Sequence, residues 1–201
     1  MRIVFIGDSL VYGYGVRREE KWSSLLSDAL PDVEIINRGV SGNTTEEILR
    51  RFERAALQKH PDVIFFMGGS NDIFFSRDSG AAKENVEKIR ILCAENGVKL
   101  ILGIPTPVNE ECLTKEWLSF AAGPEVQQKL AEYREWLLGY GKQHAVPVWD
   151  LWECISKRKV FYIDGIHLTP LGNRVLASWM EKKLIQQKNS WEGLNIKKCD
   201  I

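Results

Sequence analysis

Ser9 lies in the stretch Gly7-Asp8-Ser9-Leu10, which directly follows the apolar run Ile3–Ile6. A serine at the carboxyl end of a buried parallel strand lies where open α/β sheets bind ligands, and its hydroxyl can act as a nucleophile if a base takes its proton. The same position suits a residue that caps the next helix or turn, since Ser and Asp both favour caps. Taken alone, the stretch predicts either a nucleophile or a cap.

A candidate base with its own acid lies far along the chain, in the stretch Asp164-Gly165-Ile166-His167. This spacing lets the carboxylate hold the imidazole through Nδ1–H, which leaves Nε2 free to take a proton. The other two histidines, His60 and His144, lack a carboxylate at comparable spacing in a loop before a capped helix. The pattern therefore favours His167 as the base, with Asp164 orienting it.

Two further polar stretches follow the second and third apolar runs. Gly42 lies in the stretch 37–44, where glycine lets the backbone approach a ligand closely with its N–H groups pointing outward. Asn71 lies in the stretch 68–72, where its side-chain amide can donate to a developing negative charge. Taken alone, each residue is more commonly explained by a tight turn.

Short apolar runs alternate with segments of helical periodicity along most of the chain, which predicts a parallel sheet with helices on both faces. The helix signals include a capping box at Thr44–Glu47, ahead of Ile48, Phe52 and Ala55 on one face, and Pro124 as a first helical residue. The predicted strands are Ile3–Ile6, Val33–Asn37, Asp62–Met67, Val98–Leu102 and Val146–Trp149. We expect one α/β domain over residues 1–188 and a polar tail of uncertain structure over 189–201.

The strand order decides whether the polar stretches meet. In a five-stranded flavodoxin-like sheet of order 2-1-3-4-5, strands one, two and three are neighbours and a crevice opens between one and three. Ser9, Gly42 and Asn71 each follow one of these strands, and the Asp164–His167 stretch follows strand five. All four stretches are therefore predicted to converge at the carboxyl edge of the sheet.

Together, the four stretches resemble the GDSL or SGNH hydrolase superfamily, which is named for its Ser, Gly, Asn and His. The matching blocks are Gly7-Asp8-Ser9-Leu10, Gly42, Gly69-Ser70-Asn71-Asp72 and Asp164-Gly165-Ile166-His167, in the order that the superfamily has them. The resemblance implies a three-layer α/β/α fold. It also implies hydrolysis of esters, thioesters or acetylated sugars without a cofactor.

The predicted function is that of a serine ester hydrolase, an esterase, lipase or acylhydrolase. His167 takes the proton of Ser9, whose oxygen attacks the substrate carbonyl and forms an acyl-enzyme. The oxyanion is held by the backbone N–H groups of Ser9 and Gly42 and by the amide of Asn71. Two alternatives stay open, a non-catalytic flavodoxin-like module that binds a small molecule and an acyltransferase that uses the same site.

Residues near these blocks are candidates for substrate binding. Pro105–Gly123 is long for a connection and is a candidate lid. Ordinary packing is the alternative for each aromatic residue concerned. The candidates are Asp8, Phe74, Phe75, Trp117 and Phe120.

Composition limits the partners. Lys plus Arg and Asp plus Glu both total 27, so no broad field attracts nucleic acid or an anionic membrane, and we expect a small-molecule ester as the partner. No apolar run has the length of a membrane helix and no signal-peptide pattern opens the chain, so we expect a cytoplasmic protein. The four cysteines, expected to be reduced and without a metal, are Cys93, Cys112, Cys154 and Cys199. The oligomeric state has no signal in the sequence.

Overall fold

The central element of the fold is a five-stranded parallel sheet of order β2-β1-β3-β4-β5. A computed structural model describes the backbone of residues 1–196 and the side chains of residues 1–191. The predicted strand order is confirmed. The strands are β1 (Arg2–Gly7), β2 (Glu34–Gly39), β3 (Val63–Met67), β4 (Lys99–Ile104) and β5 (Val148–Asp150).

Nine α-helices occur in the described residues, and they form the two outer layers of an α/β/α sandwich. Because parallel crossovers are right-handed, α2 and α9 pack together on one face, while α3 and α6, and likewise α5 and α8, pack on the other. The helices are α1 (Ser9–Tyr12), α2 (Trp22–Ala29), α3 (Thr45–Arg50), α4 (Phe52–Ala55), α5 (Ser70–Ser76), α6 (Gly80–Glu95), α7 (Lys115–Ala121), α8 (Pro124–His144) and α9 (Pro170–Ile196).

The register makes three strands end at the same level. Gly7 pairs with Gly39 on one side and with Met67 on the other, so the loops after β1, β2 and β3 leave the sheet side by side. Gly7 has no room for a side chain, because a Cβ there would lie 2.1 Å from the carbonyl oxygen of Met67. This close approach of backbones brings the predicted functional blocks to one edge.

A cluster of aromatic rings in the core supports the segment after β1. The Phe5 ring meets Trp22 at 4.9 Å and Phe65 at 5.2 Å between ring centroids. The indole of Trp22, itself buried, donates to the carbonyl oxygen of Leu10 at 2.9 Å. The core therefore fixes the short helix α1, which begins at Ser9.

The predicted helix after Thr44 is divided. The capping box is present, with the N–H of Thr44 donating to Glu47 at 2.8 Å. However, the predicted single helix is wrong, because the chain breaks at Arg51 into α3 and α4, although Ile48 and Phe52 are buried and Ala55 packs against the core. The φ of Arg51 is −103° and its ψ is 1°, and its side chain turns toward the sheet edge instead of continuing the helix surface.

The candidate lid and the first part of the predicted tail both contain helical structure. The candidate lid 105–123 contains a 3₁₀ turn, Glu110–Cys112, and the helix α7. The last helix runs to Ile196, past the predicted domain boundary at residue 188, and Lys99 lies over the ring of Trp191 at 4.6 Å. The rest of the predicted tail, residues 197–201 with Cys199, lies outside the described residues.

Among the helices of the described chain, none combines the length and the apolar character that crossing a membrane requires. The cytoplasmic location stays a prediction.

Candidate active site

Ser9, His167 and Asp164 form a continuous chain of hydrogen bonds. The Oγ of Ser9 lies 2.8 Å from Nε2 of His167, and Nδ1 of His167 lies 2.6 Å from Oδ2 of Asp164. A neutral imidazole with its proton on Nδ1 donates to the carboxylate and accepts from the serine hydroxyl. All three residues are buried, which excludes most competing water. The arrangement permits the imidazole to take the serine proton.

The Asp164 carboxylate is held by its own loop as well as by the imidazole. Its Oδ1 accepts the backbone N–H groups of Ile166 at 3.0 Å and of His167 at 2.8 Å. Burial raises the pKa of Asp164, but the hydrogen bonds and charge of His167, with the N–H of Ile166, outweigh burial and hold the pKa below its ordinary value. The carboxylate is therefore ionised near neutral pH.

Asn71 lies on the first turn of α5, and its amide contacts the loop after β2. Its Nδ2 donates to the backbone oxygen of Asn43 at 2.9 Å, which uses one of its two N–H bonds. The next residue, Asp72, accepts from the N–H of Thr45 at 3.0 Å and from its hydroxyl at 2.6 Å. The two loops are thus joined at adjacent residues.

The backbone conformation at position 42 requires a glycine. Its φ is +82°, in the left-handed region that side chains disfavour. No atom lies within 4 Å of the place where a Cβ would stand. The space beside the Cα of Gly42 is therefore open, and the need for glycine comes from its φ.

Arg51 bonds to the ends of β1 and β2 and to the loop after β2. It was not identified from the sequence as a functional residue. Its guanidinium donates to the carbonyl oxygens of Gly7 and Arg38, each at 2.8 Å, and to the side-chain oxygen of Asn43 at 2.7 Å. Burial lowers the pKa of Arg51, with the charge of Arg38 acting in the same direction. An arginine on a helix is usually a solvated surface residue, so its sequence context gave no signal for this role.

Asp8, a predicted substrate-binding residue, lies behind the turn. Its side chain is 1% exposed and accepts the N–H of Leu10 at 2.9 Å, as the N-cap of α1. Burial raises the pKa of Asp8 to about 6; the hydrogen bond from Leu10 and the charge of His167 oppose this rise, and the charge of Asp72 adds to it. The sequence left open whether Asp8 or Ser9 caps a helix or turn, and the residue that caps α1 is Asp8.

The predicted aromatic residues are in different environments. Phe74 is 2% exposed, whereas Phe75 is 54% exposed and meets the ring of Phe120 edge-on at 5.7 Å. Trp117 is half-buried, and its indole donates to Asp164 at 3.0 Å. Tyr14, which sequence reasoning did not single out, places its ring 4.6 Å from that of His167. A tyrosine in a glycine-rich loop has no local signal for such a contact.

The residues described by the structure contain no group of three or more His, Cys, Asp or Glu side chains that could hold a metal ion. Within the same residues, Cys93, Cys112 and Cys154 are free thiols. Burial raises the pKa of Cys93 and of Cys154 to about 12, so both thiols are protonated near neutral pH.

The parallel sheet and its two helical layers define a protein of the α/β/α class, and comparison with known proteins gives its family. The model of the GDSL-like lipase/acylhydrolase family matches residues 5–175, and the chain belongs to this family. The resemblance stated from the four blocks is confirmed. The predicted enzyme class, a hydrolase of carboxylic ester bonds, is confirmed at the level of the family.

Relatives with names extend the comparison. The chain is 27% identical over 191 residues to an arylesterase of Vibrio mimicus, covering 92% of this chain and 88% of the relative. It is 26% identical over 186 residues to thioesterase 1/protease 1/lysophospholipase L1 of Escherichia coli, covering 90% and 82%. The native aryl esterase of M. smegmatis superposes with a TM-score of 0.80 at 20% identity, covering 92% and 98%. This last likeness supports the three-layer fold.

Proposed function

We propose that this protein hydrolyses carboxylic esters with Ser9 as the nucleophile, His167 as the general base and acid, and Asp164 as the residue that orients the imidazole. The observation that carries the proposal is the unbroken hydrogen-bond chain from the hydroxyl of Ser9 to the carboxylate of Asp164. A binding module has no need of a serine hydroxyl bonded to an imidazole that is itself bonded to a buried carboxylate.

Acylation is the first half of the proposed cycle. His167 takes the proton of Ser9 as the serine oxygen bonds to the substrate carbonyl carbon, and the carbonyl oxygen becomes an oxyanion. Collapse of this intermediate breaks the bond to the leaving alcohol or thiol, which receives the proton from His167. The ionised Asp164 stabilises the imidazolium between these events.

Deacylation repeats the same steps with water. His167 takes a proton from water as the water oxygen bonds to the acyl carbon. The bond to Ser9 then breaks, the acid leaves, and Ser9 regains its proton from His167. The balance needs no metal or redox cofactor, because protons move only between oxygen or sulfur and one imidazole.

Three donors are proposed for the oxyanion, namely the backbone N–H groups of Ser9 and Gly42 and the side chain of Asn71. The strands β1, β2 and β3 end at the same level, so the three loops that follow them leave the sheet side by side. This supports the assignment. The contact between Asn71 and Asn43 further supports it, because Asn43 directly follows Gly42. Donors held by the fold stabilise developing charge without reorganising.

The proposed substrate is a small ester or thioester with an apolar acyl or aryl group. Phe75 is four residues beyond Asn71 on α5, so both side chains lie on the same face of that helix. The exposed rings of Phe75 and Phe120 offer apolar surface on this side. The names of the relatives, arylesterase and thioesterase, agree with these two substrate classes.

A fluorophosphonate probe tests the proposal directly. We expect stoichiometric labelling of Ser9, found by peptide mass spectrometry, and no labelling of Ser9→Ala. Wild type should hydrolyse members of a panel of aryl esters, acyl thioesters and acetylated sugars. A protein that is neither labelled nor active on the panel is not a serine hydrolase. An ester consumed only when an acceptor alcohol is present indicates an acyltransferase.

A further inference from the structure

The segment 105–123 is bonded to the loop that contains Asp164. The N–H of Asn109 donates to the carbonyl oxygen of Gly165 at 2.8 Å, and the N–H of Thr114 donates to that of Asp164 at 3.3 Å. Gly165, with φ at +90°, leaves no room for a side chain here, since its Cβ would lie 2.7 Å from the oxygen of Asn109. The segment therefore braces the acid of the proposed triad.

A side chain of this segment reaches the carboxylate itself. The Nε1–H of Trp117, on α7, donates to Oδ2 of Asp164 at 3.0 Å. This is the same oxygen that accepts from Nδ1 of His167 at 2.6 Å, and the indole ring meets the imidazole edge-on at 5.6 Å. With two backbone N–H groups on Oδ1, the carboxylate accepts four hydrogen bonds and cannot rotate without losing some of them.

The helix α7 is also held from its opposite end. Arg77 donates to the carbonyl oxygen of Ser119 at 2.7 Å and to that of Phe120. Arg77 ends α5, the helix that has Asn71 on its first turn. The helix α7 thus contacts both Asp164, the proposed acid, and the end of α5, the helix that contains the proposed oxyanion donor Asn71.

We propose that Trp117 is a positioning residue for Asp164, and through it for His167. This inference rests on the proposed function. The indole N–H fixes the carboxylate plane so that Oδ2 faces Nδ1, and the edge of Trp117 that forms this bond is not available to substrate. In the sequence, Trp117 is a candidate substrate-binding residue in a candidate lid, and contact with substrate and positioning of Asp164 predict different kinetics. A pocket wall affects KM and acyl-chain preference, whereas a positioning residue affects kcat for every substrate.

The replacement Trp117→Phe removes the donor and keeps an aromatic ring. We expect kcat to fall about tenfold with little change in KM, since a hydrogen bond to a charged group is lost. The factor should be the same for short and long acyl esters and for the rate of fluorophosphonate labelling. Trp117→Met, which also lacks the donor, should give a similar fall and serves if the Phe variant does not fold.

The chain offers a matched control in Trp152. Its Nε1 donates to the carbonyl oxygen of Pro105 at 2.8 Å, so Trp152→Phe removes an equivalent bond to the same segment without touching Asp164. We expect Trp152→Phe to retain wild-type kcat. The downfield proton resonance of Nδ1–H in His167 should shift in Trp117→Phe and stay in place in Trp152→Phe.

A double-variant cycle tests whether Trp117 acts through Asp164. In an Asp164→Asn background, Trp117→Phe should have no further effect on the labelling rate. An equal fall in both backgrounds, or a change confined to KM and to one acyl length, overturns the inference and makes Trp117 a pocket residue. Failure of wild type to be labelled at Ser9 overturns the proposed function instead, so the two failures are distinguishable.

Discussion

The amide of Asn71 donates to the backbone oxygen of Asn43 at 2.9 Å, which joins the loop after β3 to the loop that contains Gly42. The pair of bonds from Thr45 to Asp72 reinforces the connection one step further along each loop. Asn71 and the loop of Gly42, which supply two of the proposed oxyanion donors, are therefore joined directly before substrate arrives. This fixed geometry leads to the first prediction.

Replacing Asn71 by alanine should lower kcat by on the order of 10²–10³, the usual cost of removing one oxyanion donor. Asn71→Asp should be at least as slow, because a carboxylate beside a developing oxyanion repels it. Steady-state kinetics on an aryl ester measures both. An Asn71→Ala enzyme with wild-type turnover removes this residue from the proposed hole.

Arg51→Met should lower both stability and kcat. The change leaves three acceptors, on Gly7, Arg38 and Asn43, without their donor, at a cost of about 2–4 kcal/mol in the free energy of unfolding. The turnover number should fall because the loops holding Ser9 and Gly42 lose their shared contact.

The neighbouring Arg50 supplies the control for Arg51. Its ion pair with Glu46 is well exposed, so Arg50→Met should change the free energy of unfolding by about 0.5 kcal/mol or less. Urea unfolding and kinetics on both variants make the comparison. Equal behaviour of the two variants contradicts a role for Arg51 in holding the loops.

Asp164→Ala should lower kcat far more than it raises KM, because it misorients the base without removing a substrate contact. A loss on the order of 10³–10⁴ in kcat is expected for a base held in the wrong tautomer. Full progress curves on two esters give both constants. A variant with raised KM and unchanged kcat would assign Asp164 to binding.

The pH dependence should show a simple acid limb. Protonation of His167 removes the base, so kcat/KM should fall as the pH is lowered. Asp164, whose pKa is held below its ordinary value, stays ionised across this limb and adds no second proton to it. A profile of kcat/KM from acid to neutral pH checks the slope, which should correspond to one proton. A flat acid limb argues against histidine as the base.

The sequence predicted the sheet and the position of the four blocks, because both depend on local patterns. Buried parallel strands such as Val63–Met67 are continuous apolar runs, and Ser9 and Asn71 each follow such a run closely, whereas Gly42 follows the partly exposed strand β2. Chain order and crossover handedness then restrict the strand order. That convergence brings the two loops together, and the Oγ of Ser9 lies 2.8 Å from Nε2 of His167.

The supporting contacts were not predictable in the same way. Arg51 interrupts a helix and turns toward the carbonyl oxygens of two strands, which no periodicity records. Trp117 was predicted to bind substrate as part of a lid, whereas its indole N–H donates to Asp164. Such roles depend on which polar group happens to be buried opposite, and this is decided by tertiary packing.

The buried carboxyl of Asp8 should make the stability of the protein depend on pH. Its pKa is raised to about 6 by burial, so between roughly pH 4 and pH 6 the folded protein keeps a proton on Asp8 that the unfolded chain releases. The folded state binding more protons means that stability falls as the pH rises through this window. Above it, the ionised and buried carboxylate costs the fold up to about 3 kcal/mol relative to a neutral group.

Asp8→Asn removes that cost and keeps a side-chain oxygen to accept the N–H of Leu10. The variant should match wild type near pH 4 and become the more stable protein above pH 6, measured by urea unfolding at a series of pH values. Asp78→Asn is the control of opposite sign, because hydrogen bonds from Gly80 and Ser79 lower the pKa of Asp78 and stabilise its ionised form. If the difference in stability between Asp8→Asn and wild type does not change with pH, Asp8 titrates normally. Arg51 and the surrounding N–H groups then compensate the charge of Asp8 in full.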